Sequence, residues 1–108
     1  MLAEMRPANA VIAVFGDLDM ATADAFASAL EPGVAQGGPV PIDLSGVTFM
    51  DSTGVYVLVE AAAALGDRGC IIVHGAHGGV MKTIELTGLA GARENIHIVG
   101  CSVLVGAA

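Results

Sequence analysis

Basic side chains are scarce: four Lys and Arg stand against eleven Asp and Glu, for a formal charge of −7. Neutralising a phosphate backbone takes clustered cations, so the composition speaks against nucleic acid and favours a partner with a basic face. Cysteine is nearly as sparse, with only Cys70 and Cys101. In a reducing compartment a structural disulfide is disfavoured, and both are expected to be buried small hydrophobes. No uncharged stretch reaches the ~18 residues of a membrane-spanning helix, which argues against direct membrane insertion. Residues Met1 to Pro7 carry neither a basic start nor an apolar block, so no signal peptide is expected and the chain reads as cytoplasmic. A hydrophobic content of 55% is incompatible with intrinsic disorder.

What is present is enough for one domain over residues 1–108, burying roughly two-thirds of its unfolded surface without metals or disulfides. Ala10 to Phe15 is a continuous apolar run ending at Gly16, the form of a strand covered on both faces, and a further strand is expected before it. Ala23, Phe26, Ala27 and Leu30 then recur at helical spacing, with Thr22 as N-cap and Pro32-Gly33 as the stop. Pro39 to Leu44 reads as extended, continued by Val47 to Met50. Asp51-Ser52-Thr53-Gly54 follows, and Val55, Leu58, Ala62 and Leu65 mark one face of a second helix ending at Gly66, capped by Asp51 or Ser52. Cys70 to Val73 predicts another buried strand. Val80 to Leu86 predicts a third helix closed by Gly88, and Ile96 to Val99 a final strand. This alternation defines an α/β fold with a mixed, mostly parallel sheet and an antiparallel N-terminal pair. Functional groups gather beyond the carboxyl ends of such strands, where Asp51-Ser52-Thr53-Gly54 falls.

Ser52 lacks the Gly-x-Ser-x-Gly elbow and the supporting base of a hydrolytic nucleophile. It is either a plain helix cap or a phosphate acceptor, since the positive end of a helix dipole tolerates a phosphoserine without unfolding. Asp17 and Asp19 suit a turn into the first helix and double as an acidic, partner-facing patch. His74-x-x-His77 has no convincing further ligand for a metal, and the glycines around it lack the Lys-Ser/Thr of a phosphate-binding loop. Neither a metal nor a cofactor is expected.

Val47 to Val55, Gly16-Asp17-Leu18-Asp19 with Thr22-Ala23, and Leu86-Thr87-Gly88-Leu89 closely resemble, in order, three motifs of the anti-sigma factor antagonists, stand-alone bacterial members of the STAS domain family. The resemblance runs from about Val11 to Val99. It implies a STAS-type fold and a non-enzymatic regulator that binds an anti-sigma factor and frees a sigma factor. It further implies that Ser52 is phosphorylated by that partner, itself an ATP-dependent serine kinase, and reset by a serine phosphatase. Asp17, Asp19, Asp51, Thr53 and Gly54 would then face the partner. The alternative within the same family is a STAS subunit of a membrane transporter complex docking on an ATPase. Two departures stand out. Cys101 to Ala108 leaves room for only a short C-terminal helix, and His74 to Gly79 is glycine-rich enough to predict a mobile loop. If the fourth and last strands are parallel neighbours, Cys70 and Cys101 lie at opposite ends of the sheet, too far apart for a bridge.

Overall fold

A computed structural model describes residues 1–6 and 11–99. Five strands form one sheet in sequential order: β1 (Leu2–Arg6), β2 (Val11–Leu18), β3 (Gly38–Met50), β4 (Gly69–His74) and β5 (Ile96–Val99). β1 runs antiparallel to β2, and β2 to β5 are parallel to one another. The connections carry helices α1 (Ala23–Gln36), α2 (Ser52–Leu65), α3 (Gly78–Thr87) and the short α4 (Leu89–Ala92). Sequential order with right-handed crossovers places these helices in one layer on one face of the sheet, where α2 touches each of the other three.

That single layer explains the burial pattern. On β3, Val40, Ile42 and Leu44 are buried beneath the helices, while the alternating Pro41 and Asp43 are only half-buried. β4 repeats this, with Ile71 and Val73 buried and Cys70 and Ile72 half-buried. The expectation of a strand covered on both faces therefore fails for β4, and Cys70 is not the fully buried thiol the sequence suggested. Cys101 and the expected C-terminal helix lie outside the described residues. β2 comes closer to the expectation, with Ile12, Ala13 and Val14 all buried. It runs past Gly16, through an irregularity in its pairing with β3, to Leu18.

Proline places two features. The α1 helix does not stop at Pro32-Gly33 but continues to Gln36, with the Gly37 N–H donating to the Gly33 carbonyl at 3.0 Å. Pro32 forfeits one backbone bond, yet Leu30 before it is buried and Val34 after it packs on the core, so apolar contact on both sides outweighs the loss. Gly33 also fits closely, since a Cβ there would stand 3.2 Å from Val40 Cγ1. In β3, Pro39 and Pro41 are two residues apart and turn their missing N–H groups to the same edge. β2 begins to pair with β3 only at Ile42, so no ladder bond to β2 is lost in that half. β4 in turn pairs with β3 only as far as Asp43, and α3 reaches the stretch of β3 beyond it, where the Thr83 hydroxyl donates to the Met50 carbonyl at 2.9 Å.

The glycine-rich segment after β4 is a short connection. His74 ends β4, Gly78 and Gly79 open α3, Ala76 is buried, and the His77 ring Nε2 lies 3.0 Å from the Ser45 carbonyl. Gly75 is required there: its φ is +74°, and a Cβ would stand 2.7 Å from Asp43 Oδ1 and 2.9 Å from the Ser45 nitrogen. Below α2, Asn95 Nδ2 lies 2.8 Å from the carbonyl of Ala62 and 3.2 Å from that of Gly69, tying the entry of β5 to α2 and β4.

Candidate functional site

The carboxyl ends of β2 and β3 are stitched together, and this carries the N-termini of α1 and α2 to one place. The Asp51 N–H donates to the Leu18 carbonyl at 3.1 Å, directly past the Leu18 and Met50 pairing that ends the two strands. Gly54 completes the junction. It is buried, and an added Cβ would sit 3.0 Å from Leu18 Cβ, 3.2 Å from Met50 Cγ and 3.3 Å from the Leu18 carbonyl. Expected at the partner surface, Gly54 instead holds the start of α2 against the end of β2.

Asp51, rather than Ser52, is the cap. Its carboxylate accepts from the Thr53 N–H at 2.8 Å, and its carbonyl accepts from the N–H groups of Gly54 at 3.1 Å and Val55 at 3.3 Å. Two of the N–H groups that a helix start leaves over, those of Thr53 and Gly54, are thus taken by one residue, and the Val55 bond is the first of the regular helix ladder. Asp51→Ala is expected to cost about 1 kcal/mol, and Asp51→Asn to restore most of it. Urea unfolding midpoints of the two variants check this. Ser52 is the first helical residue and is exposed. Its side chain stands at the positive end of α2 with the capping already done by its neighbour.

Asp19 has become the turn that the sequence suggested. Its carboxylate accepts from the N–H groups of Ala21 at 3.0 Å and Thr22 at 3.2 Å. Thr22 precedes α1, but its hydroxyl does not cap the helix: it accepts from the Asp19 N–H at 3.0 Å and lies 2.9 Å from the Asp17 carbonyl. Asp17 is exposed, with one carboxylate oxygen accepting from the Thr48 hydroxyl at 2.8 Å. The third motif is structural by its position. Gly88 takes a left-handed conformation that closes α3, and Leu89 is fully buried.

Three exposed apolar side chains at this end escaped the sequence reading. Met20 is 81% exposed in the turn before α1, Phe49 is 50% exposed opposite Asp17 in the β3 register, and Tyr56 is 62% exposed one turn after Ser52 on α2. Phe49 stands exposed two residues before the cap, in the stretch of β3 beyond the end of β4. Large side chains left in water are candidates for a contact surface, and Leu86 at the end of α3 is a fourth, 78% exposed. Tyr56 pairs with Glu60 on the next turn, and the hydrogen bond and negative charge of that carboxylate hold the phenol above its ordinary value of 10.0. With no Trp and a single Tyr in the sequence, absorbance near 295 nm reads this group alone. Glu60→Gln is expected to bring its midpoint back down toward the ordinary value.

Chemically, the arrangement is a charged rim with apolar side chains around an exposed serine at a helix start. Among the described residues no group of three or more His, Cys, Asp or Glu is placed to hold a metal ion, and no helix is long and apolar enough to cross a membrane.

The sheet, its single helical layer and this junction place the chain in the two-layer α/β class. The family model described as Mlab, STAS domain, matches residues 1–103, and the chain belongs to the STAS domain family. It is 35% identical over 91 residues to the anti-sigma-B factor antagonists of Listeria monocytogenes serovar 1/2a and Listeria innocua serovar 6a, covering 82% of this chain and 80% of each relative. Among solved structures it is similar to an anti-sigma factor antagonist from Mycobacterium paratuberculosis, with a TM-score of 0.75, 29% identity and coverage of 98% of this chain and 90% of the other. It also shares its fold with the anti-sigma factor antagonist SpoIIAA in its unphosphorylated form, with a TM-score of 0.60, 19% identity and coverage of 90% and 84%.

Proposed function

We propose that this chain is an anti-sigma factor antagonist that binds an anti-sigma factor through the β2 and β3 carboxyl ends, and that phosphorylation of Ser52 switches it off. The observation that supports the switch is the exposure of Ser52 at the first position of α2 beside a separate capping residue, Asp51. The relatives named above support the choice of partner. Met20 and Phe49 supply the apolar contacts. Asp17, Asp19, Asp51 and Thr53 supply polar ones, and Gly54 sets their spacing from beneath. In this reading the chain works by binding rather than by catalysis.

In this reading the partner is also a serine kinase. The Ser52 hydroxyl attacks the γ-phosphorus of ATP, loses its proton and leaves ADP, and a serine phosphatase hydrolyses the ester to reset the switch in the cytoplasm. The modification adds about −1.5 to −2 charge at pH 7 beside Asp51 and close to the Asp17 and Asp19 turn. The helix start tolerates that charge in the free protein, while a desolvated interface facing the same carboxylates does not. Release therefore needs no refolding. Capture of partners on the immobilised, unmodified protein tests the assignment: an anti-sigma factor with a kinase domain is the expected prey. Recovery of an ATP-binding transport subunit instead would replace it with the transporter reading.

A further inference from the structure

Running back from the Ser52 end, a groove of about 460 Å³ lies between α1 and α2. It runs from Ala23 to Val34 on one helix and from Thr53 to Ala64 on the other, about 16 Å at 1.5 Å per residue. Leu30 and Val57 form its floor, and the small Ala27, Ala61 and Ala64 keep its walls low. Its charged side chains are all of one sign: Asp24 and Glu31 on α1, seven residues apart on one stripe, and Glu60 on α2. No lysine or arginine lines it.

We infer that this groove is a docking surface for a basic amphipathic helix of a protein partner. Both walls are α-helices whose backbone groups are already bonded within themselves, so an extended segment would find no main-chain partners there. A helix brings its own backbone bonds. Three turns of it match the length of the groove, and the alanines let its axis approach closely enough to bury an apolar stripe on Leu30 and Val57. Lys or Arg flanking that stripe would meet carboxylates on both rims, which sets the chemistry of the occupant. This surface meets the Ser52 end at Thr53 and Tyr56 and extends away from it along both helices.

The test uses two synthetic 15-residue helical peptides, each with a Leu and Ala face, one flanked by Lys and the other by Glu, titrated into the ¹⁵N-labelled full chain. The Lys peptide is expected to bind at least 10-fold more tightly, with amide shifts centred on Ala27, Ala61 and Ala64. Glu31→Lys and, separately, Ala64→Trp are each expected to weaken it 10-fold or more. Both positions are exposed, so the fold should stand, and an unchanged far-UV circular dichroism spectrum with an unchanged urea midpoint verifies it. Ser52→Asp should leave peptide binding within about twofold, which keeps this result separate from the fate of the proposed switch. Equal binding of the two peptides, shifts centred elsewhere, or a self-dimer dispersed by Ala64→Trp would each overturn the inference.

Discussion

Ser52→Asp is expected to bind the anti-sigma factor at least 100-fold more weakly than Ser52→Ala, which should bind constitutively at the wild-type level. A like charge forced into an interface costs several kcal/mol, and 100-fold corresponds to about 2.8 kcal/mol. Stability should differ little between the two. Asp51 holds the cap in both variants, and an acid in the first turn interacts with the helix dipole by about 0.3 to 1 kcal/mol. Calorimetric titration against the partner, with urea melts of each variant alongside, separates the binding effect from any folding effect. Equal affinities for Ser52→Asp and Ser52→Ala would contradict the switch.

Gly54→Val should be the most damaging single change at the site, although it touches neither a charge nor an exposed atom. The new Cβ alone would crowd Leu18 Cβ at 3.0 Å and the Leu18 carbonyl at 3.3 Å, and valine adds two methyl groups to that contact. Met50 Cγ is able to yield, but Leu18 is fixed in β2 by its own burial and by the Asp51 N–H bond. Overpacking of this kind costs about 3 kcal/mol at the upper end of the usual range. The end of β2 would be pushed from the start of α2, carrying Asp17 and Asp19 away from Asp51. Partner affinity is expected to fall at least 10-fold with Ser52 intact, and amide shifts should concentrate at Leu18, Asp19 and Asp51. A variant as stable as wild type, with unshifted resonances at those residues, would show that the contact does not set the geometry.

The sequence is legible wherever local pattern and tertiary demand agree. Val55, Leu58, Ala62 and Leu65 are all buried on the inner face of α2, Gly66 follows it as the C-cap, and β5 covers Ile96–Val99 as its spacing predicts. The reading errs where long-range packing overrides a local signal. Pro32 is a sound stop signal in isolation, but it cannot reveal that Val34 will find the core on the far side. The β-branched run at Cys70 to Val73 looks covered on both faces, because a sequence does not say that the helices form one layer.

At the site, Asp51-Ser52 could be placed at a helix start from pattern alone, whereas the division of labour between them needed the Thr53 N–H geometry. Gly54 is the same lesson in reverse. A small residue within a surface motif reads as an accessible contact, and only the distance to Leu18 shows that it is there to be close. Met20 carries a faint signal, since it stands among Asp, Ala and Thr, whereas Phe49 beside Met50 and Tyr56 between Val55 and Val57 read as core, because exposure of a large side chain is a property of the folded surface.

The most direct measurement incubates the unmodified chain with its captured kinase partner and ATP, maps the phosphate by tandem mass spectrometry, and follows the complex on a sizing column. One phosphate per chain is expected, on Ser52, with the complex dissociating as it appears while the circular dichroism of the released chain stays unchanged. A phosphate on Thr53, or a complex that persists with Ser52 fully modified, would contradict it.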